Sequence, residues 1–344
     1  MENALKILTD NNFIYAIILT IVCVLIGYLL RKHNIFNSGA KAALSVLITK
    51  IALPCLAFTS FLMDFDVSNL TNSLWIIIIG FLAYLILLII FNCIYRKEDK
   101  LTRNTYSIII VFGLISMYGH PISASLFGEI GSFTASIMEV PFRSLLYTYC
   151  FFTISNTKFS RDNIGGALKK VFLNPAIIGM LLGIIIWTTQ SIMPKVTIDE
   201  ISYSVLRIDK TLPWLYSTFK TLAQLTTPLA MILIGVSIGE SSLKEAFTDK
   251  TAWLFAFLRS FVVPMFYIGL IALFRLIPSV NFSLEMIISM IICAGAPISS
   301  VVNTYCIAYD NKASLCSNAS LLSTITSVIG MPILILICSL LFSI

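Results

Sequence analysis

Ten apolar runs, each about long enough to cross a lipid bilayer, dominate this chain and leave it few ways to fold. They cover roughly residues 13–30, 43–63, 74–95, 106–127, 132–154, 175–193, 214–239, 252–274, 285–309 and 313–343. A helical crossing takes about 20 apolar residues. Hydrocarbon offers no partner to a free backbone N–H or C=O, so the crossing must be a helix. Only 12% of the 344 residues are charged, and the mean hydropathy is +0.94. A water-soluble core has no use for so much apolar surface. The sequence therefore predicts an all-α integral membrane protein with ten transmembrane helices. The first run reads as a retained span and not a signal peptide. Lys6 is the single base before it, and Arg31, Lys32 and His33 follow it.

The loops set the orientation. One set holds Arg31, Lys32, Lys41, Arg96, Lys97, Lys100, Arg103, Lys158, Arg161, Lys169, Lys170, Lys244, Lys250 and Lys312. The opposite set holds Lys6, Lys195, Arg207, Lys210, Lys220 and Arg275, and its "MDFDVSN" loop at 63–69 is acidic. Basic loops stay in the cytoplasm. Both termini are then expected outside the cell, with the chain in the plasma membrane.

Ten spans divide into two sets of five, residues 1–155 and 156–344. An odd number of crossings forces the second set in upside down. Pro54 and Pro228 stand 174 residues apart, and "GHPIS" at 119–123 and "GAPIS" at 295–299 stand 176 apart. Near-equal offsets are the mark of an inverted-repeat secondary transporter. Proline removes a backbone donor and crowds the turn before it, and glycine lets the chain open. Spans 4 and 9 are therefore expected to break and cross at the membrane midplane. Two half-helix N-termini would then aim partial positive charge at one place. The candidate substrate residues are Ser116, Gly119, His120, Pro121, Ser123, Gly295, Pro297, Ser299, Ser300 and Asn303. The competing reading is a pair of ordinary proline kinks.

Glu139 and Arg143 stand four apart in span 5, on one helical face. Intramembrane charges mark pathways, but a self-neutralising structural pair explains them equally well. Lys50 is expected to snorkel about 10 Å to the near interface. It is kept with Glu139 and Arg143 as a coupling or gating candidate. Arg259 has similar depth and the same snorkelling expectation. Asp310 is expected to organise the turn between spans 9 and 10. His120 is the single histidine within a span, and an imidazole titrates near working pH. Its protonation and the binding of an anion would support each other; a histidine bonded to loose backbone carbonyls is the alternative.

Several classes are excluded. "GVSIG" at 235–239 matches a nucleophile-elbow pattern but ends a membrane helix, and no histidine follows residue 120. Two histidines and eight scattered cysteines give no metal cluster and no disulfide frame. No cofactor loop or nucleic-acid module is present, and the chain does not read as an enzyme.

Three stretches carry a family resemblance: "ALPCLAF" at 52–58, "FGLISMYGHPISASLFG" at 112–128, and "GAPISSVVNTYCIAYDNKAS" through "LLSTITSVIGMPILIL" at 295–336. "NPAIIGMLLG" at 174–183 and "TTPLAMILIGVSIG" at 226–239 fit as well. In this order they resemble the auxin efflux carrier family and its bacterial members. The resemblance implies ten spans, a crossing of spans 4 and 9, and permease activity on small organic acids. It also implies a scaffold of spans 1, 2, 6 and 7, a moving part of spans 3–5 and 8–10, and a homodimer. Family members often carry Asn where this chain has Leu114, so an auxin-like cargo does not follow.

The sequence reading is thus a carrier of a small organic anion, expected to be a carboxylate, with a proton or sodium ion as coupling partner. A transport-inactive sensor or scaffold of the same fold is the alternative.

Overall fold

The computed structural model describes residues 11–64, 67–156, 165–166, 172–198, 200–240 and 243–342. Lys6 and the basic cluster Lys158, Arg161, Lys169 and Lys170 lie outside the described residues. Among the described residues the regular structure is helical apart from one hairpin, β1 (Lys195–Ile198) with β2 (Ile201–Ser204). Among the described residues, five helical segments are long and apolar enough to cross a membrane: Gly39–Thr59, Asn69–Ile94, Pro213–Gly239, Lys250–Phe274 and Ala313–Phe342. Pro175–Thr189 and Leu284–Ala294 are shorter apolar helices.

In chain order the first half comprises α1 (Asn11–Lys32), α2 (Ser38–Leu47), α3 (Leu53–Thr59), α4 (Val67–Ile94), α5 (Lys100–Val111), α6 (His120–Leu145) and α7 (Phe151–Ile154). The second comprises α8 (Pro175–Thr189), α9 (Ile208–Thr211), α10 (Pro213–Gln224), α11 (Thr226–Glu240), α12 (Leu243–Thr248), α13 (Lys250–Phe257), α14 (Val263–Phe274), α15 (Leu284–Ala294), α16 (Ser300–Ala308) and α17 (Ala313–Phe342). Helix α6 is two helices joined at Gly128, whose φ of 56° and ψ of −128° are open to glycine and strained for other residues.

Among the described residues, four single π-turns interrupt the helices, at Ile48–Ala52, Ile115–Gly119, Leu146–Cys150 and Leu258–Val262. Three of them stand two residues before a proline: Pro54, Pro121 and Pro264. Proline has no N–H to give, and its ring collides with the carbonyl four residues back. The wider π-turn carries that carbonyl away, so the helix continues without a break.

Contacts between loops sort the helix ends into two groups. Asn311 Nδ2 donates to Thr105 Oγ1 at 2.9 Å, Asn318 Nδ2 donates to Asp249 Oδ2 at 3.2 Å, and Tyr95, Tyr106 and Phe255 form one aromatic cluster. These gather the ends bearing Arg96, Lys97, Lys100, Lys250 and Lys312, the basic end. Opposite them, Trp187 Nε1 donates to Asp64 O, Gln190 Nε2 to Met63 O, and Asn72 Nδ2 to Asn281 O. Arg207 pins the β-hairpin there by ion pairs to Asp64 at 2.6 Å and Asp209 at 2.8 Å. This is the hairpin end.

Helices α1 and α11 pack closely through facing glycines. A Cβ on Gly27 would lie 2.1 Å from Ile232 O, and one on Gly235 would lie 2.0 Å from Val24 O. Small residues at such seams let membrane helices approach backbone to backbone.

Candidate functional site

Two interrupted helices meet in the middle of the bundle. Helix α5 stops at Val111, and the chain runs extended through 112–114 before the π-turn Ile115–Gly119. Helix α15 stops at Ala294, and 295–299 are non-helical before α16. The two gaps pair antiparallel at Gly113 and Ile298. Leu114 N donates to Pro297 O at 2.7 Å, and Ser299 N donates to Phe112 O at 3.0 Å. Backbone groups freed by each break thus find partners in the other, which is how irregular chain survives at membrane depth.

The breaks are not both where the paired pentapeptides place them. "GAPIS" is the gap in span 9. "GHPIS" follows the gap in span 4, and Pro121 stands two residues after the π-turn that accommodates its ring and missing N–H. The span 4 gap at 112–114 contains no proline.

Arg259 also departs from expectation. It does not snorkel. The side chain is buried at the crossing with 1% exposure. Its Nε donates to Ala296 O and its Nη1 to Val111 O, each at 2.7 Å. One guanidinium therefore ties the end of α5 to the gap after α15. Among the described residues no carboxylate pairs with it. Gly113 makes the space: a Cβ there would lie 1.8 Å from Arg259 Nη2.

Pockets approach the crossing from both ends. The outer one, about 710 Å³, lies toward the hairpin end and is lined by Thr59, Ser60, Glu129, Ser132, Lys220 and Gln224 among others. Toward the basic end, a pocket of about 230 Å³ is lined by Lys50, Ser116, Arg143, Tyr147, Ser299 and Ser300, with Leu114 and Asn174. A further pocket of about 480 Å³ shares Leu114, Met117 and Ser300 with it and reaches Lys41, Ser237 and Thr304. The small inner pocket thus has the first turns of both second half-helices in its wall. The Ser299 hydroxyl is buried there and has no hydrogen-bond partner among the described residues.

A buried polar chain spans the wall between the outer and inner pockets. Ser132 Oγ lies 2.9 Å from His120 Nε2, and His120 Nδ1 lies 3.3 Å from Glu139 Oε1. Arg143 Nε donates to Glu139 Oε2 at 2.6 Å, and Arg143 Nη2 donates to Ser116 Oγ at 2.9 Å. Ser132 lines the outer pocket; Arg143 and Ser116 line the inner one.

A family model for "Membrane transport protein" matches residues 12–335. The chain belongs to this membrane transport family. It is also 22% identical, over 327 residues, to an "Uncharacterized transporter" of Methanothermobacter thermautotrophicus, covering 91% of this chain and 94% of that one.

In this membrane transport protein the candidate residues fall into three places. Ser116, Ser299, Ser300, Arg143 and Lys50 share the inner pocket. His120 and Glu139 are buried in the polar chain, with Pro121 and Ser123 also buried nearby along α6. Gly119 packs on Cys293, Gly295 O accepts from Ser327 Oγ, and Pro297 O accepts from Leu114 N. Asn303 accepts from Ser317 Oγ in the wall of the 480 Å³ pocket. The described cysteines are all free. Sequence reasoning missed Ser132, Tyr147, Asn174 and the true place of Arg259. An arginine inside an apolar span was the available signal for the last.

Proposed function

We propose that this transport protein is a secondary carrier of a small organic anion with at least one carboxylate. It works by alternating access, without covalent chemistry. Ten spans form two inverted repeats, residues 1–155 and 156–344. Spans 1, 2, 6 and 7 hold the frame while spans 3–5 and 8–10 move around the crossing. The basic end faces the cytoplasm of the plasma membrane.

One observation carries the substrate class. The inner pocket is lined by the first turns of two helices and by Lys50, Arg143 and Ser299, whose hydroxyl has no partner among the described residues. Helix N-termini attract anions by about 0.3–1 kcal/mol each, and more when partly buried. Its volume of about 230 Å³ is below the roughly 300 Å³ lower bound typical of pockets for drug-sized ligands. Short mono- and dicarboxylates therefore fit better than large aromatic acids.

Counterflow in proteoliposomes with labelled acetate, succinate and indole acids tests this directly. Uptake confined to neutral or cationic compounds would sink the anion reading. Lys50→Met removes a charged donor, and a hydrogen bond to a charged group contributes about 1.5–3 kcal/mol. The variant should therefore lose about tenfold or more in apparent affinity for a carboxylate while remaining folded. Leu114 places an apolar side chain in the walls of both inner pockets. Binding without any counterflow would favour the sensor reading.

Orientation has its own check. In a cysteine-free background, Thr197→Cys on the hairpin should react with an impermeant maleimide from outside. Lys97→Cys should react only after permeabilisation. The reverse pattern inverts the topology.

A further inference from the structure

We propose that His120, Glu139 and Arg143 form a proton-operated switch that frees an anion-binding guanidinium. The inference rests on the carrier reading for its purpose, but its core test needs no cargo. Glu139 is the shared member. One carboxylate oxygen faces His120 and the other holds Arg143, and all three side chains are buried. These contacts suit a neutral imidazole with its hydrogen on Nδ1, donating to Glu139, and with Nε2 accepting from Ser132. The trio then carries no net charge.

Ser132 is the entry. It lines the outer pocket, and its hydroxyl touches Nε2. A proton from that pocket joins Ser132 Oγ as the serine passes its own hydroxyl hydrogen to Nε2. Serine is unchanged, the imidazole becomes imidazolium, and the trio gains one positive charge. His120 now competes with Arg143 for the same carboxylate as a full cation. The hold of Glu139 on Arg143 weakens, and the guanidinium, already in the inner pocket wall, becomes available to a carboxylate there. A monocarboxylate returns the trio to neutrality. Proton and anion each bind more tightly when the other is present, and this coupling is reciprocal.

Among the described residues, the side chains packed directly against the trio bring no further charge. Helix α15 presents Cys293, the π-turns present Ser116 and Tyr147, and Ser136 of α6 meets Ser60 of the chain end after α3. Lys50 shares the lining of the inner pocket with Arg143; Glu129, Lys220 and Tyr216 line the outer pocket.

The chain has two histidines, so His33→Gln protein labelled with ¹⁵N-histidine in lipid nanodiscs reports His120 alone. The signal should change from neutral to protonated as the pH is lowered. At a fixed pH where the parent shows both forms, Arg143→Gln should raise the protonated-to-neutral ratio about tenfold with no anion added. Glu139→Gln should lower it by a similar factor, since a close opposite charge shifts such equilibria by one unit or more. Sodium succinate, against sodium chloride, should raise the ratio in the parent and not in Arg143→Gln. A signal unresponsive to pH in the parent overturns the switch. An unchanged ratio in Arg143→Gln overturns the competition. If that variant does not fold, an unchanged ratio in Glu139→Gln overturns the competition instead, and Ser132→Ala should slow exchange of the Nε2 proton; unchanged exchange removes Ser132 as the entry. Absent counterflow alongside the expected ratios defeats the carrier reading and leaves the switch standing. Counterflow with unchanged ratios does the opposite.

Discussion

Arg259→Met is expected to cost about 3 kcal/mol of stability and to weaken anion binding at the same time. Two hydrogen bonds from the guanidinium, each 2.7 Å long, end on Ala296 O and Val111 O. Hydrogen bonds to charged groups contribute about 1.5–3 kcal/mol each. Methionine fills the volume but leaves both carbonyls without a donor inside the bundle. The saving from not burying a charge offsets part of this loss. Arg259→Lys retains the charge and reaches one carbonyl, so it should fall between. Gly113→Ala should reproduce much of the defect, because its Cβ would lie 1.8 Å from Nη2 and must displace the guanidinium. The double variant Gly113→Ala with Arg259→Met should be no worse than Arg259→Met alone, a strong departure from additivity. Seven of the eight cysteines are buried, so a thiol-reactive dye followed on heating reads unfolding directly. Additive shifts would mean that Gly113 and Arg259 act separately.

The second large effect lies at the seam of α1 and α11. Gly235→Val places a branched side chain where even a Cβ would lie 2.0 Å from Val24 O. The obstacle is backbone, so no side chain can turn aside. The helices must separate by an ångström or more along the whole seam. Overpacking in a closed core costs about 1–3 kcal/mol per site, and a branched residue on a membrane seam should exceed that. We expect little monodisperse protein on size-exclusion chromatography in detergent. Gly27→Val, facing the same seam, should behave alike, since its Cβ would lie 2.1 Å from Ile232 O. A well-behaved Gly235→Val protein would show that α1 and α11 do not need this approach.

Local features of the sequence located most of the frame. Apolar runs gave the helices, and the basic residues described at 96, 97, 100, 250 and 312 do gather at one end. The glycine–proline pair at 295–299 marks a real gap. What the sequence did not disclose depends on partners far along the chain. The gap at 112–114 is held open by strands of backbone from 297–299, and nothing local requires it. Arg259 looked like a snorkelling base because its acceptors, at 111 and 296, come together only once the two gaps cross. The link from Ser132 to His120 needs the reversal at Gly128, a single positive φ within an otherwise helical pattern. Lys50, Ser299 and Arg143 were each singled out alone; their shared pocket is a product of packing.

The two opposed pockets have an electrical consequence. A pocket lined partly by polar residues opens toward each end, so water entering both brings the conducting phases on the two sides to within the thickness of the crossing. A membrane voltage then falls mainly over that thin layer and not over the full hydrocarbon slab. Each elementary charge carried through the whole voltage exchanges about 2.3 kcal/mol per 100 mV. Glu139, Arg143 and Arg259 all sit in or beside this layer, so small displacements there do more electrical work than larger ones elsewhere in the protein.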